Sequence, residues 1–265
     1  MDSEINELKL YFGDDYKLNQ YITIHNPTMG DLIEVGEESY FSALHMFTAI
    51  PSDFKSFLWD TFEICWMDIS DFEFFRFLAR KVSLEESRIF FGDLDFTKFE
   101  EVKDNTNGNV VLMQPLEIDG ETYPLVIDEA LYLRLVKVLR TIHSLKPKIE
   151  VATTKTVRDI LIRLDREDKT KAKKDQKSNL QPIVSSMLNS EGFKYDLKGI
   201  RELPYYTFMD SVQRICMIKN ATALLQGCYG GWIDSSKVNK SDLDWMKEIK
   251  NNVNKIKTFS GLFLL

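Results

Sequence analysis

The sequence contains few of the residues from which metal sites and disulfide frameworks are built. Only three cysteines and three histidines occur in 265 residues. The cysteines, Cys65, Cys216 and Cys228, are odd in number and show no Cys-x-x-Cys spacing, which argues against a disulfide scaffold or a thiolate zinc site. We expect reduced, partly buried thiols in a cytoplasmic protein.

The histidines also lack the spacing of a metal or catalytic site. His25, His45 and His143 are predicted on a strand, a helix and a helix end, without a His-x-His or His-x-x-x-His pattern. Cys228 has no nucleophile-elbow sequence around it and no nearby histidine. The phosphate-binding patterns GxGxxG and GxxxxGK[ST] do not occur. The sequence therefore predicts no catalytic residue, no metal and no cofactor, and we expect a protein that is not an enzyme.

Long apolar runs are missing as well. A signal peptide is not predicted, because the sequence lacks a basic start followed by an apolar stretch. A membrane-spanning helix is not predicted either, because no run approaches the roughly 20 apolar residues that it needs. We expect a cytoplasmic protein with no membrane partner.

Charge is divided unevenly along the chain. Residues 1–147 contain 27 acidic and 13 basic residues, a net charge of −14, whereas residues 148–265 contain 14 acidic and 21 basic residues, a net charge of +7. Complementary fields orient protein encounters, so the halves can dock on each other or on neighbouring copies. The basic excess is spread out without a nucleic-acid-binding motif, so no nucleic acid is expected.

The pattern of apolar residues predicts a mainly α fold with a small antiparallel β meander, an α+β class with a helical C-terminal half. Capping residues at Thr28, Ser70 and Asp128 predict helix starts. Strands are predicted over 99–103, 110–113 and 122–127, because Asn107-Gly108 and Asp119-Gly120 favour tight turns between them. A strand over 21–25 is a further candidate for this sheet.

Two domains are predicted. Residues 1–147 form an acidic α+β domain with aromatic-rich helices, and residues 148–265 form a basic helical domain. Residues 166–178 contain six basic side chains and one apolar residue, Ala172, which indicates a solvated helix extension or, preferably, a flexible linker.

A helical stripe that begins at Pro204 predicts the organising element of the chain. Tyr205, Phe208, Met209 and Val212 recur at spacings of three and four, and the helix should fade near Gly227. Ser241-Asp242 then predicts a further helix with Trp245. The pattern favours a buried structural spine across residues 203–245.

Residues 258–265 form an unusual apolar segment. The sequence TFSGLFLL contains five large apolar side chains, which are Phe259, Leu262, Phe263, Leu264 and Leu265. Two interpretations remain open: the segment docks on the core of its own chain, or it is an exposed contact for a partner. These five residues are the candidate partner-binding residues.

Several segments resemble a family of phage and prophage proteins from low-GC Gram-positive bacteria, encoded among virion morphogenesis genes. They are PTMGDLIEVGE at 27–37 with Tyr40, 51–53 before 58–60, 69–74, 91–96, 139–143, 192–195 and 208–215. The resemblance spans roughly residues 21–246 in the same order. It implies a tail assembly chaperone-like protein, and it brings no catalytic residues. The location that it implies is the host bacterial cytoplasm, with the virion as the alternative.

The resemblance and the composition together lead to one functional expectation. We expect a non-enzymatic bacteriophage protein that acts in tail assembly through protein–protein interactions, with tail subunits as partners. The alternatives are a permanent tail or baseplate component and a phage-encoded host-takeover or defence-modulating binding protein.

Overall fold

Short polar residues in front of apolar, helix-periodic segments set many of the helix starts. The computed structural model describes residues 5–104, 108–118, 120–172 and 178–249, and these ranges contain twelve α-helices. In chain order they are α1 (Glu7–Tyr11), α2 (Met29–Val35), α3 (Glu37–Thr48), α4 (Lys55–Phe62), α5 (Asp71–Ala79), α6 (Leu84–Phe91), α7 (Glu129–Ile142), α8 (Lys155–Ala172), α9 (Leu180–Leu188), α10 (Leu197–Glu202), α11 (Tyr205–Tyr229) and α12 (Lys240–Leu243). With two small antiparallel sheets they form a mainly helical α+β fold, which confirms the predicted class.

The three caps predicted at Thr28, Ser70 and Asp128 are present. The Thr28 side chain accepts a hydrogen bond from the backbone N–H of Asp31, and the Asp31 carboxylate accepts one from the backbone N–H of Thr28. Ser70 and Asp128 cap α5 and α7 in the same way, through their side-chain oxygens. A capping box between Ser83 and Glu86 starts α6, a helix that was not predicted from the sequence.

The strands form two separate sheets. β1 (Tyr16–Lys17) pairs with β2 (Thr23–Ile24), and β3 (Glu100–Lys103), β4 (Val110–Ile118) and β5 (Glu121–Ile127) form a three-stranded meander in the order β3-β4-β5. The meander is as predicted, but the prediction that residues 21–25 join it is wrong. Residues 23–24 of that segment pair with β1, because the chain turns back through residues 18–22 onto its own preceding strand.

Aromatic side chains dominate the main core. The largest buried side chains of the chain include Tyr40, Phe41, Phe47, Phe75, Phe90, Phe96, Tyr132, Tyr205 and Phe208. These residues lie in one continuous apolar cluster, which draws on residues before and after position 147. A smaller cluster, around Trp66, Phe74 and Ile162, lies between α4, α5 and α8. The division into domains at position 147 remains a prediction.

The charged stretch after position 166 continues a helix. α8 extends through Ala172, so residues 166–172 are helical. This agrees with the prediction of a helix extension, and the preferred prediction of a flexible linker is wrong for these residues. Residues 173–177 lie outside the described ranges. The helix persists because Asp165 and Lys169, on its inner face, bond to α4.

Candidate interaction surface

The predicted spine is only half buried. α11 has 25 residues, which corresponds to a length of about 37 Å. Its first two turns contribute Tyr205, Phe208 and Val212 to the core, whereas after Val212 the only buried residue of the helix is Ala221. The prediction of a buried spine across residues 203–245 is therefore wrong for its second half, which extends away from the core. Sequence periodicity identifies an apolar stripe but not the surface that covers it.

The chain returns along α11 and forms a hairpin arm, which we define as residues 213–249. The helix ends at Tyr229, close to the end predicted near Gly227, and Gly231 turns the chain with a φ of +73°. The backbone N–H groups of Trp232 and Ile233 then both donate to the carbonyl oxygen of Gly227. Because a Cβ at position 227 would lie 2.5 Å from Ile233 Cδ1, any residue other than glycine requires the Ile233 side chain to shift.

The return segment is fastened at the base of the arm. Arg214 Nη1 donates to the backbone carbonyl oxygens of Trp245 and Lys247, at 2.6 and 2.9 Å. Within this segment α12 is short and starts at Asn239, whose side chain accepts from Ser241 N, so the predicted Ser241-Asp242 cap and a helix reaching Trp245 are wrong. The segment therefore lies antiparallel to α11 and ends beside Arg214.

Two aromatic side chains at the tip of the arm are almost fully exposed. Tyr229 is 88% exposed and Trp232 is 91% exposed, and they flank the Gly230-Gly231 turn. Trp and Tyr are the side chains that most often dominate protein–protein binding energies, because a large rigid ring loses little entropy on binding. We define the arm tip as Tyr229 and Trp232.

The arm is also poor in charge. Between Ile215 and Ile233 the only charged residue is Lys219. Depletion of charged residues with enrichment of aromatic ones is the composition of interface centres. Exposure, aromatic content and low charge thus coincide on one projecting element.

A second aromatic group on the surface is less accessible. Phe57 and Phe62 of α4 are 37% and 46% exposed, and their rings pack edge-on against each other and, from Phe62, against Phe77 of α5. Their mutual packing already covers much of their surface. The arm tip is therefore the stronger candidate for partner contact.

The histidines do not form a reaction centre. His143 lies in the core, where its Nδ1 donates to the Leu139 carbonyl oxygen and its Nε2 accepts from the Tyr40 hydroxyl at 2.6 Å. Burial lowers the pKa of His143 to about 4, so the ring is neutral at pH 7. Burial, with a smaller effect of Lys169, likewise lowers the pKa of His45 to about 4. His143 is thus a core residue, whereas His45 is partly buried and stacks on the ring of Phe54.

The third histidine is nearer the surface. His25 Nδ1 lies 2.7 Å from Asp15 Oδ2, and its Nε2 faces Gly92 rather than a hydroxyl or thiol. Asp93 forms an ion pair with Arg88, and Asp95 caps the next turn at Thr97. In the described ranges no three His, Cys, Asp or Glu side chains converge into a metal site.

A polar network holds α8 on α4. The backbone N–H of Ser56 donates to Asp165 Oδ2 at 2.9 Å, and Lys169 Nζ lies 3.0 Å from that carboxylate and donates to Ser56 Oγ at 3.2 Å. Burial alone would raise the pKa of Asp165, but hydrogen bonds from Ser56 and Lys169 outweigh it and hold that pKa below its usual value. Ser56 and Asp165 are both buried. A structural role follows, which the sequence pattern did not reveal because the partners are more than 100 residues apart.

The candidate partner-binding residues from the sequence cannot be placed on this surface. Phe259, Leu262, Phe263, Leu264 and Leu265 lie outside the described residues. The arm tip was missed for a different reason. Tyr229 and Trp232 fall within the segment predicted as a buried spine, and a loop at Gly230-Gly231 does not by itself reveal that the flanking rings are exposed.

Comparison with known proteins adds one match. Residues 171–250 match the model of a family described as the YomV second domain, a phage-like family. Neither the curated proteins nor the solved structures contain a match. The matched range includes the whole hairpin arm, and it supports a phage-associated protein. Membrane spanning by a helix is not supported: none of the described helices combines sufficient length with sufficient apolar character.

Proposed function

We propose that the chain is a non-enzymatic bacteriophage protein that acts in tail assembly, as a chaperone that binds a tail subunit through its arm tip. The observation that carries this proposal is the exposure of Tyr229 and Trp232, 88% and 91%, at the end of a charge-poor arm. Isolated exposed rings are common on proteins, but two at the tip of a projecting hairpin present a contact that the other described residues do not cover. The phage-like family match over residues 171–250 supports the setting.

The physical role of the tip would be to cover an apolar surface on an unassembled subunit. Unpaired apolar faces and strand edges aggregate when exposed, so a binding partner that occupies them keeps subunits available for polymerisation. A projecting arm suits this role, because it reaches a groove on the subunit without the body of the chain approaching closely. The predicted self-association of oppositely charged halves is a separate expectation and should weaken with salt.

The experiment is a binding titration with purified tail proteins of the encoding phage. The variant Tyr229→Ala/Trp232→Ala should weaken binding at least tenfold, since truncation of central aromatic anchors costs on the order of 2 kcal/mol or more. The matched control is Ile149→Ala/Val151→Ala, which removes two side chains that are also exposed, at 72% and 66%, away from the arm. Wild-type affinity in the tip variant, or an equal loss in the control, would contradict the proposal.

The two alternatives make different predictions for the same variant. A permanent tail or baseplate component would lose incorporation into particles when the tip is truncated. A host-takeover protein would bind a host protein through the tip and leave particle shape unchanged. Detectable turnover abolished by substitution of His45 or Cys228 would instead indicate an enzyme.

A further inference from the structure

A second exposed apolar surface lies around α1. Leu8 and Phe12, four residues apart and therefore on one face of the helical turn, are 67% and 76% exposed. Tyr11 adjoins them, with its ring edge-on to Phe12 and to Tyr206 of α11. We call Leu8, Tyr11 and Phe12 the α1 surface. No other described residue covers the exposed parts of Leu8 and Phe12.

This surface adjoins the base of the hairpin arm. Thr207 Oγ1 donates to the Tyr11 carbonyl oxygen at 2.5 Å. Asp210, Ser211 and Arg214 of α11 also lie near Tyr11: burial and Asp210 raise the pKa of the Tyr11 hydroxyl, whereas Ser211 and Arg214 lower it. Arg214 in turn holds the carbonyl oxygens of Trp245 and Lys247. The described chain therefore ends, at residue 249, close to the α1 surface.

The length of the 250–265 segment allows it to cover that surface. It has 16 residues, which span up to about 50 Å when extended. The five residues of α1 occupy about 8 Å. Contact with the α1 surface thus requires no movement of the arm.

The two surfaces are complementary in charge as well as in apolar character. The 250–265 segment contains Lys250, Lys255 and Lys257, no acidic residue, and the five apolar residues from Phe259 to Leu265. Around α1 lie the carboxylates of Glu7, the exposed Asp14 and Asp210, together with the two bases Lys9 and Arg214, so acidic groups are in excess. A basic, apolar segment against an acidic, apolar face is the pairing that favours docking.

We propose that residues 250–265 dock on the α1 surface of their own chain. The large apolar side chains of the segment cover Leu8 and Phe12, and its lysines face Asp14 and the neighbouring carboxylates. This selects, from the two interpretations of the apolar segment, the one in which it binds its own chain. It also leaves the arm tip as the contact for other proteins.

Photo-crosslinking of the full chain tests this directly. With p-benzoyl-phenylalanine in place of Phe12, irradiation should link position 12 to peptides from 250–265, as identified by mass spectrometry. The matched control places the same group at Leu133, which is 57% exposed on α7, and should yield no such link. Absence of the link from position 12, or equal yield from position 133, would overturn the proposal.

Two further measurements refine this test. The first distinguishes docking within one chain from docking between two copies, and the second tests whether the lysines of the segment contribute to docking. In an equal mixture of ¹⁴N- and ¹⁵N-labelled protein, the linked peptides should carry one label only; mixed pairs would overturn docking within the chain. Lys255→Glu/Lys257→Glu should lower the yield at least threefold, whereas Lys219→Glu on the arm should not. Tyr229→Ala/Trp232→Ala should still form the crosslink from position 12 to residues 250–265. The crosslinking result is therefore independent of whether the arm tip binds a tail subunit.

Discussion

Tyr40 and His143, which are 103 positions apart in the chain, share a 2.6 Å hydrogen bond in the core. The His143 Nδ1–H is occupied by the Leu139 carbonyl oxygen, so the Tyr40 hydroxyl must donate to Nε2. Tyr205 of α11 packs on both rings. This group joins α3, α7 and the buried start of α11, and so it anchors the arm to the body of the protein.

Removal of the Tyr40 hydroxyl should therefore destabilise the whole fold. Tyr40→Phe leaves His143 Nε2 buried without a donor, which should lower the free energy of unfolding by about 1–3 kcal/mol. The matched control is Tyr123→Phe, whose hydroxyl bonds to Glu121 on an exposed strand, with an expected change of less than about 0.5 kcal/mol. Urea unfolding followed by circular dichroism measures both, and equal changes would contradict the role given to this bond.

His45 and His143 should make stability fall in mild acid. Burial lowers the pKa of both His45 and His143 to about 4, below the value of about 6.5 expected in the unfolded chain. Between pH 6.5 and 4 the unfolded chain therefore binds protons that the folded chain does not, and stability falls as the pH falls through this window.

The size of this pH effect can be checked by urea unfolding at pH 7 and pH 5. A loss on the order of 2 kcal/mol for each ring is expected at pH 5. Asp53 acts in the opposite direction, because burial raises its pKa. His143→Gln, which can keep both hydrogen bonds without titrating, should flatten part of the slope. Unchanged stability of the wild type between the two pH values would contradict the account.

The polar contact between α4 and α8 should decide how firmly α8 is held. Asp165→Asn removes the charge that Lys169 faces at 3.0 Å, so it should cost about 1–3 kcal/mol. Hydrogen exchange over Lys155–Ala172 should become faster. Asp168→Asn, on the exposed side of the same helix, is the matched control and should leave exchange unchanged. Similar exchange in the two variants would refute this assignment.

Gly227 should be necessary for closure of the hairpin arm. In Gly227→Ala the new Cβ would lie 2.5 Å from Ile233 Cδ1 and 2.9 Å from Ile233 Cγ1, so Ile233 must move and the return segment should loosen. Hydrogen exchange over 230–249 should increase while the core helices keep their protection. Ala223→Ser, on the exposed side of α11, serves as the control. If residues 230–249 of Gly227→Ala were protected from exchange as well as in the wild type, the contact would be dispensable.

Local patterns predicted much of the fold. The capping residues Thr28, Ser70 and Asp128 and the meander strands act over a few residues, so their signals are readable in the sequence. α6 was missed although its Ser83–Glu86 capping box has the same form. The short strand at 23–24 was given the wrong partner, because pairing depends on which strand the chain brings near.

The candidate site was harder to predict, because exposure depends on tertiary packing. Apolar spacing in α11 is the same signal for a helix that is covered and for one that projects, and only the structure shows that Tyr229 and Trp232 lie in solvent. The bonds from Arg214 to Trp245 and Lys247, and from Asp165 to Ser56, join positions too distant for a sequence pattern. The candidate residues from Phe259 to Leu265 remain predictions.

The central claim, an assembly factor rather than a part of the particle, is most directly tested by quantitative mass spectrometry. The protein would be measured in purified virions and in the lysate of cells producing them, relative to a tail subunit. The account predicts abundance in the lysate and absence from the particles. A fixed number of copies per virion would contradict it and would make the protein a component of the tail.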